Sequence, residues 1–369
     1  MSTDVDLEPS RTWTPAAGTA RAQSLAAQLF RRGGILLPFL VLFTILSLTS
    51  EPFATKANLL NILDQQSATL IIAAAATLVL VAGGIDLSVG AVYGFGAVTS
   101  AHFALVTNPA LAMLLGIGAG LLVGLVNGFV TTVFRINSLI ATLAMSFIVG
   151  GISVLVTSNN LLVLFSKPSF GDLARPHFLT IKTSIWLALA AVIVIGLLLA
   201  TTTVGRYMYA AGGNAEAARL AGVRVDAIRI LAFGISGTAA ALAGVLDTSN
   251  VLTAQAARYD SLTFTVLAGI VVGGTSILGG EGAVWRTVVG VLFIALIDNG
   301  YQLLQFDPLY EQITLGVLLL AAVGLDSLSR GLLQPGPVLR QLLPRSRSVP
   351  SAEPAGESGV KGVKEERRC

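Results

Sequence analysis

The sequence has little charge and few of the residues on which catalytic sites are usually built. Charged residues make up 12% of the 369 residues and hydrophobic residues 54%, whereas a soluble domain carries about 25% charged residues. The chain has one cysteine, Cys369, and two histidines, His102 and His177. An intrachain disulfide is therefore excluded, and no cysteine cluster or paired acid and histidine spacing predicts a catalytic metal.

A nucleotide-binding loop is also missing. No Gly-Lys dipeptide occurs in the chain, so no Walker A loop is present to hold a nucleotide phosphate. We therefore expect no cofactor in this chain. If ATP drives its activity, ATP and magnesium bind to a partner subunit.

Long apolar runs predict an all-α polytopic membrane protein. About 20 apolar residues are needed to cross roughly 30 Å of hydrocarbon, and runs near that length recur between residues 31 and 330. Residues 1–30 lack a signal-peptide layout and predict a cytoplasmic tail, whereas 331–369 predict a disordered basic tail. Eight spans are the alternative to ten if residues 67–106 are re-entrant. The ten predicted spans lie at about 33–50, 67–83, 87–106, 110–133, 139–157, 183–203, 229–246, 263–279, 286–304 and 311–328.

The distribution of Lys and Arg predicts that both termini are cytoplasmic. With the N-terminus inside, five of the 23 Lys and Arg residues fall on the outer side. They are Lys56, Lys167, Arg175, Lys182 and Arg258. Because cytoplasmic loops are enriched in these residues, the bias favours an N-in, C-in chain with an even number of spans.

The segment 83–90, GGIDLSVG, interrupts two apolar runs. It places Asp86 where a charge costs roughly 2.5–3.5 kcal/mol at mid-membrane on insertion scales. Gly83 and Gly84 permit a tight bend, and Asp86 suits the start of the next helix. A structural helix break and direct contact with a solute both stay open, because helix starts inside the membrane often lie on transport paths.

Other polar residues within the apolar runs are candidates for the same path. A small-residue face precedes Asn127 and favours close helix packing. Its members are Gly116, Gly118, Gly120 and Gly124. Thr142 and Ser146 share a helix face, where they can bond a hydroxylated solute or their own backbone. The candidate path residues are Asp86, Ser88, Asn127, Asn137, Thr142, Ser146 and Asn299.

A weak internal sequence repeat indicates two related halves. Gly83-Gly84 is followed by Asn127-Gly128, and Gly273-Gly274 by Asn299-Gly300, although the spacings differ. Transporters often consist of two such halves with broken helices facing a central path. The second Gly-rich break lies at 271–282, VVGGTSILGGEG.

The word Gly234-Ile-Ser-Gly237 has the form of an intramembrane serine protease motif. Nucleophilic catalysis needs a base close to the serine. Both histidines lie upstream and are predicted on the outer side, so an intramembrane enzyme is disfavoured.

The segment 205–222, GRYMYAAGGNAEAARLAG, is polar and lies between two apolar spans. Gly212-Gly213 predicts a turn, Asn214 suits the cap of a short helix, and Glu216 lies in its first turn, where a negative charge suits the dipole. The charge bias places this helix on the cytoplasmic face, as a docking element or as an amphipathic connector. The candidate docking residues are Gly205, Arg206, Gly212, Gly213, Asn214, Glu216, Ala217, Arg219 and Gly222.

Five sequence motifs occur in a fixed order within a region of about residues 58 to 328, which is most of the chain. They are GGIDLSVG at 83–90, IATL at 140–143, GRYMYAAGGNAEAARLAG at 205–222, SGTAAALAG at 236–244 and VVGGTSILGGEG at 271–282. Together with the late Asn299-Gly300, they resemble the inner-membrane permease subunit of carbohydrate ABC importers of the ribose, xylose and galactose type.

The resemblance implies a permease dimer, most simply a homodimer, with a central path. It also implies a separate ATP-binding subunit that docks on the helix within 212–222, and a periplasmic binding protein that delivers the sugar. The sequence departs from the family at Thr263 and Thr265, where an acidic pair is frequent, and at Asn137-Ser138, where prolines are frequent. These departures leave the identity of the solute open.

We therefore predict a permease subunit that imports a monosaccharide or related polyol, driven by ATP hydrolysis in a partner chain. Alternatives within the family are permeases for autoinducer-like furanones, nucleosides or branched-chain amino acids. An ion-coupled secondary transporter is a further alternative. It would need a titratable acid in the path, for which Asp86 is the one serious candidate, and it would leave 205–222 unexplained.

Overall fold

A computed structural model describes residues 34–256, 259–307 and 309–331 of the chain. The predicted tail at 1–30, the predicted tail beyond residue 331 and the outer-side Arg258 lie outside the described residues. The described part consists mainly of α-helices, with two pairs of two-residue strands. The described residues up to Asp326 form one compact unit, and the described residues from Ser327 belong to a second.

Thirteen α-helices make up the described fold, and a 3₁₀ helix at Pro168–Leu173 lies between the sixth and the seventh. In chain order they are α1 (Leu36–Thr49), α2 (Lys56–Gln65), α3 (Ser67–Val81), α4 (Val89–Val106), α5 (Pro109–Val133), α6 (Ser138–Thr157), α7 (Thr183–Thr201), α8 (Thr203–Gly213), α9 (Ala215–Leu220), α10 (Val225–Val251), α11 (Asp260–Val272), α12 (Val284–Leu303) and α13 (Leu309–Gly331).

Each of the ten predicted spans overlaps one of these helices, although the span predicted at 263–279 extends past the end of α11 at Val272, and a count of ten is not established. Six described helices, namely α4, α5, α6, α7, α10 and α12, are long and apolar enough to cross a membrane. A seventh span results if α2 and α3, which meet at a 50° bend, are counted as one. The apolar helices α1 and α11 and the part of α13 at Gln312–Gly324 are shorter. The fold is that of a multi-pass, all-α membrane protein.

Helix α3 is apolar on every side because it lies inside the bundle. All of its residues except Ala68 are buried, and it packs against α7, α10, α11 and α12. A helix that is hydrophobic all round is expected in such a position. Its composition therefore resembles that of a lipid-facing span, although other helices enclose it.

Close packing of α5 against α10 depends on glycines spaced four residues apart. A Cβ built on Gly120 would lie 2.4 Å from the carbonyl oxygen of Gly237, and one on Gly124 would lie 2.3 Å from that of Phe233. Gly118, predicted on the same face, has open space around it. The prediction is wrong at this position because an offset of two residues rotates a side chain by about 200° around a helix.

Short strands and an ion pair hold the loops that follow α6 and α10 to the helices. The antiparallel strand pairs are β1 (Leu162–Val163) with β4 (Thr253–Ala254), and β2 (His177–Phe178) with β3 (Ile181–Lys182). The Asp64 carboxylate of α2 pairs with the Lys182 ammonium and accepts a 2.5 Å hydrogen bond from the Ser184 hydroxyl. Helix α2 is thereby fixed against the start of α7.

Candidate translocation break and coupling surface

The first break separates α3 from α4. Helix α3 ends at Val81, and Gly83 adopts the left-handed backbone region with φ of 80°, which glycine reaches at little cost. The backbone from Gly84 to Ser88 is not helical, and α4 begins at Val89. The polar groups of this buried segment must therefore find partners outside a helix.

The Asp86 side chain bonds the start of α4 from an enclosed position. Asp86 is only 2% exposed. Its Oδ1 accepts hydrogen bonds from the backbone N–H of Ser88 at 3.0 Å and from the Ser88 hydroxyl at 2.6 Å. Its Oδ2 accepts a 2.8 Å hydrogen bond from the Ser236 hydroxyl of α10. A buried carboxylate needs such donors, and here they tie the break to α10.

Two hydroxyl groups of α6 bond the backbone of the break. The Ser138 hydroxyl accepts from the Ile85 N–H at 3.0 Å, and the Thr142 hydroxyl accepts from the Leu87 N–H at 2.9 Å. Thr142 in turn donates to the Ser138 carbonyl at 2.8 Å. Helix α6 thus supplies acceptors that a continuous helix would have provided itself.

Asn127 joins α5 to the same set of hydrogen bonds. Its Nδ2 donates to the Ser88 hydroxyl at 2.8 Å, and the residue is 1% exposed. Its Oδ1 has no hydrogen-bond partner among the described residues. We call Asp86, Ser88, Asn127, Thr142 and Ser236, with the backbone they bond, the break network.

Four of the seven candidate path residues belong to the break network, and two others, outside it, lie at the cap of α6 and on α6. Asn137 is exposed and caps α6, since its Oδ1 accepts from the Leu139 N–H at 2.9 Å. Ser146 is buried one turn beyond Thr142, and its hydroxyl donates to the Leu143 carbonyl at 2.7 Å. Whether these residues line a path stays a prediction.

Asn299, the seventh candidate, lies apart from the break network. Its side-chain amide exchanges two 3.0 Å hydrogen bonds with that of Asn58 on α2. This reciprocal pair connects the end of α12 with α2. The two bonds give each of these partly buried amides a hydrogen-bond partner.

Sequence reasoning does not assign two residues that complete the contacts of the break. It considers Ser236 only as a protease nucleophile and disfavours that role. Thr263 of α11 is 4% exposed, and its hydroxyl accepts a 3.1 Å hydrogen bond from the Gly90 N–H. The available signals are the glycines on both sides of Ser236, which permit close helix approach, and the position of Thr263 where the family often carries an acid.

The segment 205–222 folds as a capped helical corner. Asn214 separates α8 from α9, and its Oδ1 accepts hydrogen bonds from the N–H groups of Glu216 at 3.1 Å and Ala217 at 3.0 Å. Gly222 follows α9 in the left-handed region with φ of 86°. The predicted cap and short helix are confirmed. The predicted turn at Gly212-Gly213 is wrong, because both glycines are the last residues of α8 and the chain leaves the helical conformation at Asn214.

The face of α9 that points away from the bundle is exposed and carries both charged and apolar side chains. Glu216 and Ala217 are exposed, and Leu220 is 87% exposed. Arg219 forms a 2.7 Å ion pair with Asp226 at the start of α10. We call Glu216, Ala217, Arg219 and Leu220 the coupling surface.

The remaining candidate docking residues shape the approach to α9. Gly205 is buried where α7 turns into α8, since a Cβ there would lie 2.1 Å from the Leu199 carbonyl oxygen. Arg206 is exposed and donates to the Thr201 carbonyl at 3.3 Å. Gly213 is exposed with nothing near its Cβ position.

Residues 58–323 match the family described as the permease component of the branched-chain amino acid transport system. The chain belongs to this permease family. The match includes the break network and the coupling surface. It makes the chain a multi-pass permease subunit of an ABC importer in the inner membrane.

Curated relatives of this permease are sugar permeases. It is 37% identical over 333 residues to the L-arabinose ABC transporter permease protein AraH of Azospirillum brasilense, an alignment that covers 88% of this chain and 96% of the relative. It is 35% identical to the L-arabinose transport system permease protein AraH of Escherichia coli strain K12, over 85% of this chain and 95% of the relative. It is 34% identical to the ribose import permease protein RbsC of the same strain, over 79% and 92%. No solved structure matches the permease.

Proposed function

We propose that this permease imports a monosaccharide, with L-arabinose and ribose as the first candidates. The observation that carries the proposal is the identity to arabinose and ribose permeases over most of this chain and nearly all of theirs. ATP and magnesium are bound by a separate ATP-binding subunit, and this chain supplies the membrane path.

The coupling surface is the proposed docking site for the ATP-binding subunit. It combines an exposed leucine with a carboxylate and a guanidinium on one short helix, and the charge bias of the sequence places it in the cytoplasm. An apolar anchor surrounded by charged groups is a usual composition for a protein contact. The cap at Asn214 fixes α9 in place before docking, which lowers the entropy cost of binding.

The other proposed partners are a second copy of the permease, a periplasmic sugar-binding protein and the lipid bilayer. The faces of α5 and α6 that point away from the bundle carry exposed leucine, isoleucine and phenylalanine side chains. Such faces suit lipid or another permease copy. A homodimer is the simplest assembly that would enclose a path.

The break network is proposed to shape the path. Both oxygens of Asp86 are already bonded within the protein, so its expected role is to hold the break rather than to bind sugar. The buried Oδ1 of Asn127 has no described partner, and a sugar hydroxyl is a suitable donor for it. Among the candidate path residues, Asn127 is therefore the proposed solute contact.

Reconstitution of the permease with its ATP-binding subunit and binding protein in proteoliposomes tests this function. Uptake of radiolabelled L-arabinose, ribose and leucine is measured with and without ATP. We expect ATP-dependent uptake of one of the two sugars and none of leucine. Liposomes that lack the ATP-binding subunit are the control and should take up nothing.

Two outcomes would overturn the proposal. Uptake of leucine in place of both sugars would assign the permease to amino acid transport, as the family description allows. Sugar uptake by the permease alone, driven by an ion gradient, would make it a secondary transporter.

A further inference from the structure

Three glycine pairs that are far apart in the sequence meet at the end of α8. They are Gly83-Gly84 in the first break, Gly212-Gly213 at the end of α8, and Gly279-Gly280 before α12. The Gly280 N–H donates a 2.9 Å hydrogen bond to the carbonyl of Val81, the last residue of α3. The backbones of the two breaks are therefore bonded directly to each other.

The contacts between these glycine pairs join backbone to backbone. A Cβ built on Gly212 would lie 1.9 Å from the Val81 carbonyl oxygen and 2.6 Å from the Gly280 nitrogen. One built on Gly279 would lie 2.7 Å from the Gly83 Cα. No side chain fits at these distances. We call Gly83, Gly212, Gly279 and Gly280 the glycine junction.

Two side chains hold the segments that form the glycine junction. Arg229 of α10 donates from Nε to the Ala82 carbonyl at 3.1 Å and from an Nη to the Ala211 carbonyl at 3.5 Å. It thereby bridges the first break and the end of α8. The Tyr209 hydroxyl donates to the Gly282 carbonyl at 2.8 Å, and burial raises the pKa of Tyr209, so this donor keeps its proton at neutral pH.

We propose that the glycine junction is the relay through which a displacement of α9 reaches both membrane breaks, with Arg229 as its positioning residue. The inference rests on the proposed function, because it requires a partner that moves α9. Close-packed interiors transmit a shift instead of absorbing it, and no side chain at the junction can yield. Asp86 follows Gly83 by three residues, so a shift at the junction acts directly on the break network.

The uptake test uses Gly212→Ala and Arg229→Gln in the complete complex in proteoliposomes. The first variant inserts a methyl group into the junction, and the second removes donors without adding volume. Both variants should co-purify with the ATP-binding subunit and hydrolyse ATP, while the sugar imported per ATP falls roughly tenfold or more, as small displacements of a working geometry can cost that much. Gly151→Ala is the control, because a Cβ there meets nothing within 4 Å.

If Gly212→Ala does not yield a folded complex, the Arg229 variants decide. Arg229→Lys keeps the charge and one donor and should recover part of the lost coupling. A wild-type ratio of uptake to hydrolysis in Arg229→Gln would overturn the relay. Loss of co-purification would also overturn it, since the junction would then serve docking.

A distance measurement tests the relay independently of which solute the permease imports. Spin labels are placed on cysteines at Ala221, which caps the end of α9 and lies outside the coupling surface, and at Leu278 of the second break, both exposed, in a chain with Cys369→Ser. The label distance should stay constant between the nucleotide-free and nucleotide-trapped complexes, because the two segments move together. A change in the wild-type distance would overturn the relay, whereas a failed uptake assay with a constant distance would count against the proposed sugar alone.

Discussion

The first break and α9 each place a carboxylate near the start of a helix, in opposite surroundings. Asp86 precedes α4, is 2% exposed and accepts three hydrogen bonds. Glu216 lies in the first turn of α9 and is exposed, with the Arg219–Asp226 ion pair close by in sequence. A carboxylate is therefore buried and hydrogen-bonded within the protein in the first break, whereas a carboxylate is exposed to the surface on α9.

These opposite surroundings predict which substitutions should affect stability and which should affect coupling. A buried polar group that loses its hydrogen-bond partner costs roughly 1–3 kcal/mol, and one substitution in the break network can leave several such groups unpaired. An exposed ion pair contributes only about 0–1 kcal/mol. Changes in the break network should therefore reduce the amount of folded permease, whereas changes on the coupling surface should leave it folded.

The largest expected effect is that of Asp86→Ala. It leaves the hydroxyls of Ser88 and Ser236 and the Ser88 N–H without their acceptor. At about 1–3 kcal/mol for each buried unpaired group, we expect a loss of roughly 3 kcal/mol or more of stability. Thermal unfolding of the purified permease in detergent measures it, together with the yield of monodisperse protein.

Asp86→Asn is the matched control for this change. The amide keeps the shape and one acceptor oxygen, and the Ser236 hydroxyl can accept from its NH₂ group. Its loss of stability should be well below that of Asp86→Ala. Wild-type stability in Asp86→Ala would contradict a structural role for Asp86. Its carboxylate would then contribute as little to stability as the exposed carboxylate of Glu216.

A smaller effect is expected for Ser236→Ala, which removes one donor to Asp86. An acceptor left without its donor in a buried site costs about 1–3 kcal/mol. Unfolding should shift accordingly, and uptake by the folded fraction should persist, because Ser236 serves as a donor and not as a nucleophile.

Thr238→Val provides the comparison for Ser236→Ala. The Thr238 hydroxyl donates only to the Gly234 carbonyl of its own helix at 2.8 Å, so its removal should cost less. Equal losses of stability in the two variants would show that the hydrogen bond from Ser236 to Asp86 contributes no more than a hydrogen bond within one helix.

The helices could be predicted from the sequence because apolar runs and glycine breaks mark them directly. The number of spans could not, since α3 and α11 have the composition of spans but are 15 and 13 residues long and end at glycine turns. The corner at Asn214 was predictable because its cap and turn are local. The bond between Ser236 and Asp86 was not, since it joins residues 150 positions apart through helix packing that no local pattern encodes.

The smallest expected effect on stability is that of Arg219→Ala. The side chains of Arg219 and Asp226 are 49% and 55% exposed, and loss of such a pair costs about 0.5 kcal/mol or less. Asp226→Ala breaks the same ion pair and should have the same small effect on unfolding.

The two variants differ in what they leave on the coupling surface, and this difference tests whether Arg219 contacts the ATP-binding subunit itself. Asp226→Ala leaves the guanidinium in place, whereas Arg219→Ala removes it. If Arg219 makes the contact, stimulation of ATP hydrolysis by the permease should fall more in Arg219→Ala than in Asp226→Ala. Equal losses in the two variants would mean that the ion pair only holds α9 against α10. The contact would then be left to Glu216 and Leu220, which a Glu216→Ala variant in the same assay would reveal.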